Sequence, residues 1–360
     1  MTARLRVALV PGVLTLLVSA CANGGNLQPN VAAQMDASLT RPAKERVTIT
    51  QFADLPRYYN FYFPTAVTVG PDGALWVTDD IDQDAGQSAI ARIETSGKRT
   101  NAFYYQNDAS PSFEDIAAGP DGALWITDSG DGQILRMTTT GTFTTYPLNN
   151  ADAEGIVAGP DHALWFVENY FQGAAVGRIA TTGKITYFSA GISTGATLHD
   201  ITLGPDGALW FTESNGDRVG RVTKRGKITE YSAGITPGSE PYAITAGSDG
   251  ALWFTEIGGG RIGRISTSGT VTEYSQGITL TERPAGIAAG PDGALWFTES
   301  ESYGSYQIRA SKIGRITING KINEYSKLKG KSEPVDIVNG PDGNMWFVET
   351  NADKMGRVTL

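Results

Sequence analysis

The sequence predicts an all-β protein, a seven-bladed β-propeller of four-stranded antiparallel blades in which a strand near the amino end joins the last blade. Three observations carry this reading. A segment of the form Gly-Pro-Asp-Gly-Ala-Leu-Trp recurs with small variations, and its tryptophans, Trp76, Trp125, Trp165, Trp210, Trp253, Trp296 and Trp346, are all seven in the 360-residue chain. Their spacings of 49, 40, 45, 43, 43 and 50 residues suit a blade of four short strands, which needs about 40 to 50. The two ends also complement each other. The last unit stops at Gly356-Arg357-Val358-Thr359-Leu360, a third strand with no outer strand after it, while Val47 to Phe52 precedes the first unit and matches the outer segment Ile228-Thr229-Glu230-Tyr231. Pairing the two closes the ring and leaves only short blade edges; a solenoid would not need its ends to match.

Residues 1–20 read as a lipoprotein signal peptide. Arg4 and Arg6 form a positive start, Val7 to Val18 is apolar but short for a bilayer span, and Val18-Ser19-Ala20-Cys21 resembles the bacterial lipobox. Cleavage before Cys21 and lipidation of its thiol follow from that reading; an ordinary secretory signal with an incidental cysteine is the alternative. Cys21 is the only cysteine, so an internal disulfide is excluded. Residues 21–45 lack periodicity and form a tether, and the propeller occupies 46–360. Loss of the signal moves the net charge from −9 to −11, a balance that disfavours nucleic acid and anionic lipid as partners.

Within the propeller, the 44 glycines and the charged share of only 19% favour short strands and tight turns. One unit illustrates the rest. Tyr242 to Ala246 forms the inner strand, Gly247-Ser248-Asp249-Gly250 turns, and Ala251 to Glu256 returns as the second strand. Arg261 to Ser266 alternates as a third strand, Thr267-Ser268-Gly269 turns, and Thr270 to Tyr274 completes the outer strand. A large aromatic at one fixed second-strand position packs between blades, so the tryptophans are scaffold. The Asp-Gly pairs are turns. The arginines that recur once per third strand, from Arg92 to Arg357, are expected at the surface or between blades.

Loop lengths point to the working face. From the acid ending the second strand to the recurrent arginine is 8 residues in blades 2, 4, 5 and 7, but 13, 10 and 16 in blades 1, 3 and 6. The inserts Asp80 to Ile90 and Ser300 to Ser311, with Tyr303 and Tyr306, are expected to rim that face. The acids Asp79, Asp128, Glu168, Glu213, Glu256, Glu299 and Glu349 are expected there as a ring. Fourteen residues before each lies a residue expected to face the central mouth: Thr65, Glu114, Glu154, His199, Tyr242, Ala285 and Val335. These differ from blade to blade while the frame repeats, and function belongs to such variation. His199, followed by Asp200 and expected to face Glu213, is an acid/base candidate, because imidazole titrates near neutral pH and a carboxylate can fix its tautomer. Tyr242 with Glu256 is a second candidate pair, and Glu114, Glu154 and Asp200 are expected to line the mouth. Several acids around one mouth could hold Mg²⁺ or Ca²⁺, or form a solvated rim. The other histidine, His162, sits in a turn without chemistry.

The repeat Gly-Pro-Asp-Gly-Ala-Leu-Trp-Phe-Thr-Glu, with segments such as Lys312-Ile313-Gly314-Arg315-Ile316, resembles the virginiamycin B lyase (streptogramin lyase) family over residues 46–360. The resemblance implies elimination at the ester of type B streptogramins, with Mg²⁺ held by two Glu and a His as base. The matching positions are Glu333 and Glu349 for the metal, Val335 for the base and Ala285 for a substrate-contacting His of the preceding blade. Val335 cannot accept a proton.

Two functions follow as expectations. One is a lyase or esterase-like activity, metal-assisted by resemblance, on a small cyclic ester at an acidic mouth. The other is a non-catalytic propeller that binds a protein, peptide or glycan at the same face. Either would be an exported, membrane-anchored lipoprotein, monomeric, with the membrane reached through lipid alone.

Overall fold

The computed structural model describes residues 47–52, 63–82, 87–106, 111–148, 151–170, 173–279, 283–300, 311–326, 328 and 332–360. Cys21, the signal and tether, Tyr303 and Tyr306 lie outside the described residues. The strands form seven four-stranded antiparallel sheets, each in simple sequential order except the last. That sheet takes Thr48–Phe52 as its outer strand, paired with Lys354–Thr359 in the register Thr48 to Thr359 and Phe52 to Met355. The ring therefore closes through the amino-terminal strand, as the complementary ends predict.

Each blade is locked by the recurrent motif, through more than a turn. In blade 4 the indole Nε1 of Trp210 donates to Oδ1 of Asp206 at 3.0 Å, and Nε of Arg221 donates to Oδ2 at 2.7 Å. The same aspartate bridge between tryptophan and third-strand arginine recurs in blades 1, 2, 3, 5 and 6. In blade 7, Asp342 keeps the indole bond while Arg357 stands 3.8 Å away and lies over the rings of Phe52 and Trp346. Six of the arginines thus bridge within their own blade, while Arg357 makes a blade-to-blade contact, its Nη1 donating to the carbonyl of Thr95 in blade 1 at 3.1 Å. The geometry is set by strand register: Trp210 faces Arg221 across the second and third strands.

The tryptophans are fully buried. Each stacks on an aromatic of its own outer strand, as Trp210 does on Tyr231 with centroids 5.5 Å apart. Each also packs against the inner strands of the next blade; Trp165, for example, shares a cluster with Leu198, Ile201 and Phe211. The apolar core is accordingly seven similar clusters between blades.

Candidate functional site

One irregularity, repeated seven times, builds the mouth. Every inner strand slips register against its second strand at the same place, between Leu198 and Ile201 in blade 4. A bulge re-aims side chains that strict alternation would send to opposite faces. Both His199 and Asp200 consequently line the central cavity. The bulge breaks the ladder, so its N–H groups need other acceptors. Asp200 N–H donates to Oγ1 of Thr212, and the N–H groups of Ile201 and Ile244 donate to the two oxygens of Asp200, each at 2.7 Å. The hydroxyl of Thr212 donates onward to the carbonyl of Tyr242 in blade 5. The second-strand Thr of the repeat is therefore a bulge cap and a stitch to the next blade.

Asp115 and Asp336 repeat the role of Asp200. Each accepts from the following N–H and from an inner-strand N–H of the next blade, Ile156 and Val67 respectively. Small residues sit between them. A Cβ on Gly155 would press on the backbone of His199 and Asp200. Burial pushes all three carboxyls up, Asp200 to about 7 and Asp336 to about 6, and Asp115 is raised further by the charges of the other two.

Above this collar the cavity, about 400 Å³, is lined by Thr65, Glu114, Glu154, His199, Tyr242 and Val335 among others. Ala285 is buried instead, and its neighbour Gly286 takes the wall position. Four titratable side chains from blades 2 to 5 form a continuous arc. Glu114 accepts from Ser129 Oγ at 2.6 Å and from Ser112 Oγ at 3.3 Å. Burial, and next the charge of Glu114, push Glu154 up to about 8. Burial pushes the imidazole of His199 down, so it is neutral at pH 7; its Nε2 lies 3.0 Å from Ser214 Oγ and its ring centroid 4.9 Å from that of Tyr242. The opposite wall carries the apolar side chains of Phe63, Ala66 and Val335 beside Thr65, Glu333 and Thr350.

The acids that end the second strands are elsewhere. Glu213, Glu256, Glu299 and Glu349 are fully buried between strands, and the expected open ring of carboxylates is not formed by them. Glu213 lies 3.7 Å from Arg218, and burial with the adjacent Glu230 pushes it up to about 8. Glu256 is likewise raised to about 8 by burial and then Glu273. The partner of His199 is therefore Ser214 rather than Glu213, and Tyr242 and Glu256 are not brought together on the cavity wall.

The residues matched to the metal site do not fit a divalent cation. Glu333 reaches the cavity, where its carboxylate accepts from Asn351. Glu349 is fully buried and accepts from Gln51 at 3.0 and 2.7 Å and from Ser332 at 2.6 Å. Val335 stands between them with no ligand atom. Among the described residues, no cluster of three or more His, Cys, Asp or Glu is arranged to hold a metal ion.

Sequence reasoning missed Asp115, Asp336, Ser129 and Ser214. The two aspartates had a signal, since each directly follows a predicted mouth residue as Asp200 does; the serines directly follow the acids ending their second strands.

Comparison with known proteins follows the same outline. The virginiamycin B lyase family profile matches residues 55–308 and 284–360. A streptogramin B lyase structure superposes with a TM-score of 0.72 at 32% identity, covering 87% of this chain and 98% of that one. Virginiamycin B lyase from Staphylococcus aureus gives 0.73 at 34% identity, covering 87% and 99%. A catalytically inactive histidine-to-alanine variant of the Staphylococcus aureus lyase, with quinupristin, gives 0.72 at 34% identity and the same coverage. No curated protein matches the chain.

Proposed function

The chain belongs to the virginiamycin B lyase family, and from that membership we propose that it takes a small cyclic ester into the propeller mouth and opens the ring by elimination on the arc of blades 2 to 5. The single observation that supports this is the juxtaposition, in one cavity, of His199, whose burial disfavours the imidazolium, and Glu154, whose carboxyl burial and then the charge of Glu114 push up to about 8. His199 takes the proton from the carbon next to the ester's alkoxy carbon, the C–O bond breaks as the C=C bond forms, and Glu154 gives its proton to the departing carboxylate. Tyr242 packs against the imidazole at a tilt of 44° and limits its rotation. The apolar side chains of Phe63, Ala66 and Val335 receive the hydrophobic part of the substrate. No step is routed through Glu333 and Glu349.

The test is incubation of the full-length protein with quinupristin at pH 7 and mass spectrometry of the product. Elimination leaves the mass unchanged while the ring opens; hydrolysis adds one water. Ring opening at unchanged mass, abolished in His199→Ala and reduced in Glu154→Gln, is expected. Recovery of intact quinupristin, bound to the protein, would sink the proposal and favour a second reading, in which the mouth only binds. That reading is supported by Val335 and Ala285, which stand where the family resemblance places histidines. Export belongs to the same proposal: labelled palmitate should enter the protein in cells and be lost in Cys21→Ala.

A further inference from the structure

The task of the residue after the acid that ends the second strand varies between blades. In blade 7 it is Thr350, whose hydroxyl donates to the carbonyl of Pro64 at 2.8 Å. In blade 5 it is Ile257, with no polar side chain. In blade 3 it is Asn169, whose amide is occupied by the backbone of Leu198, donating to its O and accepting from its N at 2.9 Å each. Only in blades 2 and 4, among the described residues, does it reach a mouth side chain: Ser129 to Glu114 and Ser214 to His199. Glu154 of blade 3 has no hydrogen-bond partner among the described residues, because Asn169 is engaged elsewhere.

We propose that Ser129 and Ser214 are positioning residues that decide where protons sit around the mouth: Ser129 holds Glu114 as the anion, so that a proton in the Glu114 and Glu154 pair stays on Glu154, while Ser214 fixes the ring of His199. The inference rests on the reading of Glu154 and His199 as acid and base. Its physical basis is asymmetry. Two hydroxyl donors, Ser129 and Ser112, favour the charged form of Glu114, whereas Glu154 is half-enclosed with no donor among the described residues. When two carboxyls share a site, one of them keeps its proton, and the better solvated one ionises first. Other groups near the pair reinforce this order. Asp152 adds negative charge beside Glu154, and Asp200 lies against Gly155, the next residue along the strand. Among the described residues, no lysine or arginine lines the cavity to offset the pair.

For His199 the neighbours are Ser214 at Nε2, Tyr242 against the ring face, and Asp200 next in the chain with both oxygens already bound to backbone N–H groups. In the proposed role the imidazole donates from Nε2 to Ser214 Oγ, which leaves Nδ1 without a proton to face substrate.

The experiment is NMR of full-length protein carrying ¹³C-carboxyl glutamate and ¹⁵N-imidazole histidine, titrated from pH 4 to 9. In the unmodified protein Glu154 should titrate near 8, and His199 should show one tautomer. Ser129→Ala should lower the Glu154 midpoint by about one pH unit; Ser129→Thr, which keeps the hydroxyl, should restore it. Ser214→Ala should yield a mixture of His199 tautomers, and Ser214→Thr a single one. An unmoved Glu154 midpoint in Ser129→Ala, or an unchanged single tautomer in Ser214→Ala, with amide spectra showing an intact fold, overturns the corresponding assignment. The catalytic reading fails separately: titrations as expected without ring opening would leave the serine roles standing and remove the lyase.

Discussion

In five blades the residue after the tryptophan is Phe, and the residue opposite it on the third strand is Gly: Phe166 with Gly177, Phe211 with Gly220, Phe254 with Gly263, Phe297 with Gly314 and Phe347 with Gly356. In blades 1 and 2 the same register holds Val77 with Ala91 and Ile126 with Leu135. The two positions share one volume. A Cβ placed on Gly220 would fall inside the ring of Phe211, which is itself fully buried and cannot retreat. Gly220→Ala is therefore expected to destabilise by about 1–3 kcal/mol through overpacking. For a domain of roughly 310 residues, about 2 kcal/mol corresponds to a fall in melting temperature of about 3 °C. Phe211→Val alone should cost a similar amount or more by leaving a cavity. The double variant recreates the Val77 and Ala91 pairing of blade 1, and should recover at least about 1 kcal/mol relative to the sum of the single changes. Urea unfolding of the four proteins measures this cycle. Additive effects would refute the shared-volume argument, as would a neutral Gly220→Ala.

Thr212→Val keeps the shape of the bulge cap but removes the acceptor for Asp200 N–H and the donor to Tyr242 O; a loss of about 1–3 kcal/mol in urea unfolding is expected, and less than half a kcal/mol would sink the role. Phe52→Ala removes the ring stacked 5.1 Å from Trp346, so hydrogen exchange should accelerate across Lys354–Thr359 and leave blade 4 unchanged. The pH dependence has a definite sign. Asp200, Asp336, Glu154, Glu168, Glu213 and Glu256 have folded values of about 6 to 8, above their unfolded values near 4. The folded chain thus binds more protons between about pH 5 and 8, and stability should fall as pH rises through that window. For the turn aspartates such as Asp206, burial opposes ionisation, but the bonds from Trp210 and Arg221 outweigh it and hold the carboxyl below the ordinary range. Their contribution is lost only in stronger acid, which puts the maximum near pH 5; a urea midpoint that rises from pH 5 to 8 would contradict this account.

The frame was legible because it is written seven times. Blade number, strand order and closure by Val47 to Phe52 all follow from repeat spacing and the unmatched ends. The mouth was legible in part. Counting back from the second-strand acid found Glu114, Glu154, His199 and Tyr242, because position in a repeated blade fixes direction. Two things were lost. The bulge puts two consecutive residues on the cavity side, and no periodicity reveals that, so Asp115, Asp336 and Gly286 were passed over. The acids were misplaced for a reason the sequence did contain: Glu213 is two residues beyond Phe211, and alternation puts both on one face of the strand. A side chain sharing a face with a fully buried Phe belongs between blades, not at the rim.

That parity separates the scaffold from the chemistry. The tryptophan, its aspartate and arginine, the Phe and Gly pair and the capping Thr use second- and third-strand positions and backbone N–H groups; none of them needs a particular side chain at His199 or its equivalents. Apart from Thr65, whose hydroxyl bonds the capping Thr78 and donates to the carbonyl of Phe113 in blade 2, a mouth residue can change without disturbing these bonds, so reactive groups are free to migrate around the ring. Blades 6 and 7 present Gly286 and Val335, while blades 2 to 5 present two carboxyl groups, an imidazole and a phenol. Transplanting His to Val335 tests whether position alone decides activity. Val335→His sits among Glu333, Asp336 and Thr350, but Glu349 beside it is already engaged by Gln51 and Ser332. If the site has moved to the arc of blades 2 to 5, that variant should add no ring-opening rate of its own in a His199→Ala background. Recovery of turnover there would place the chemistry in blade 7 after all.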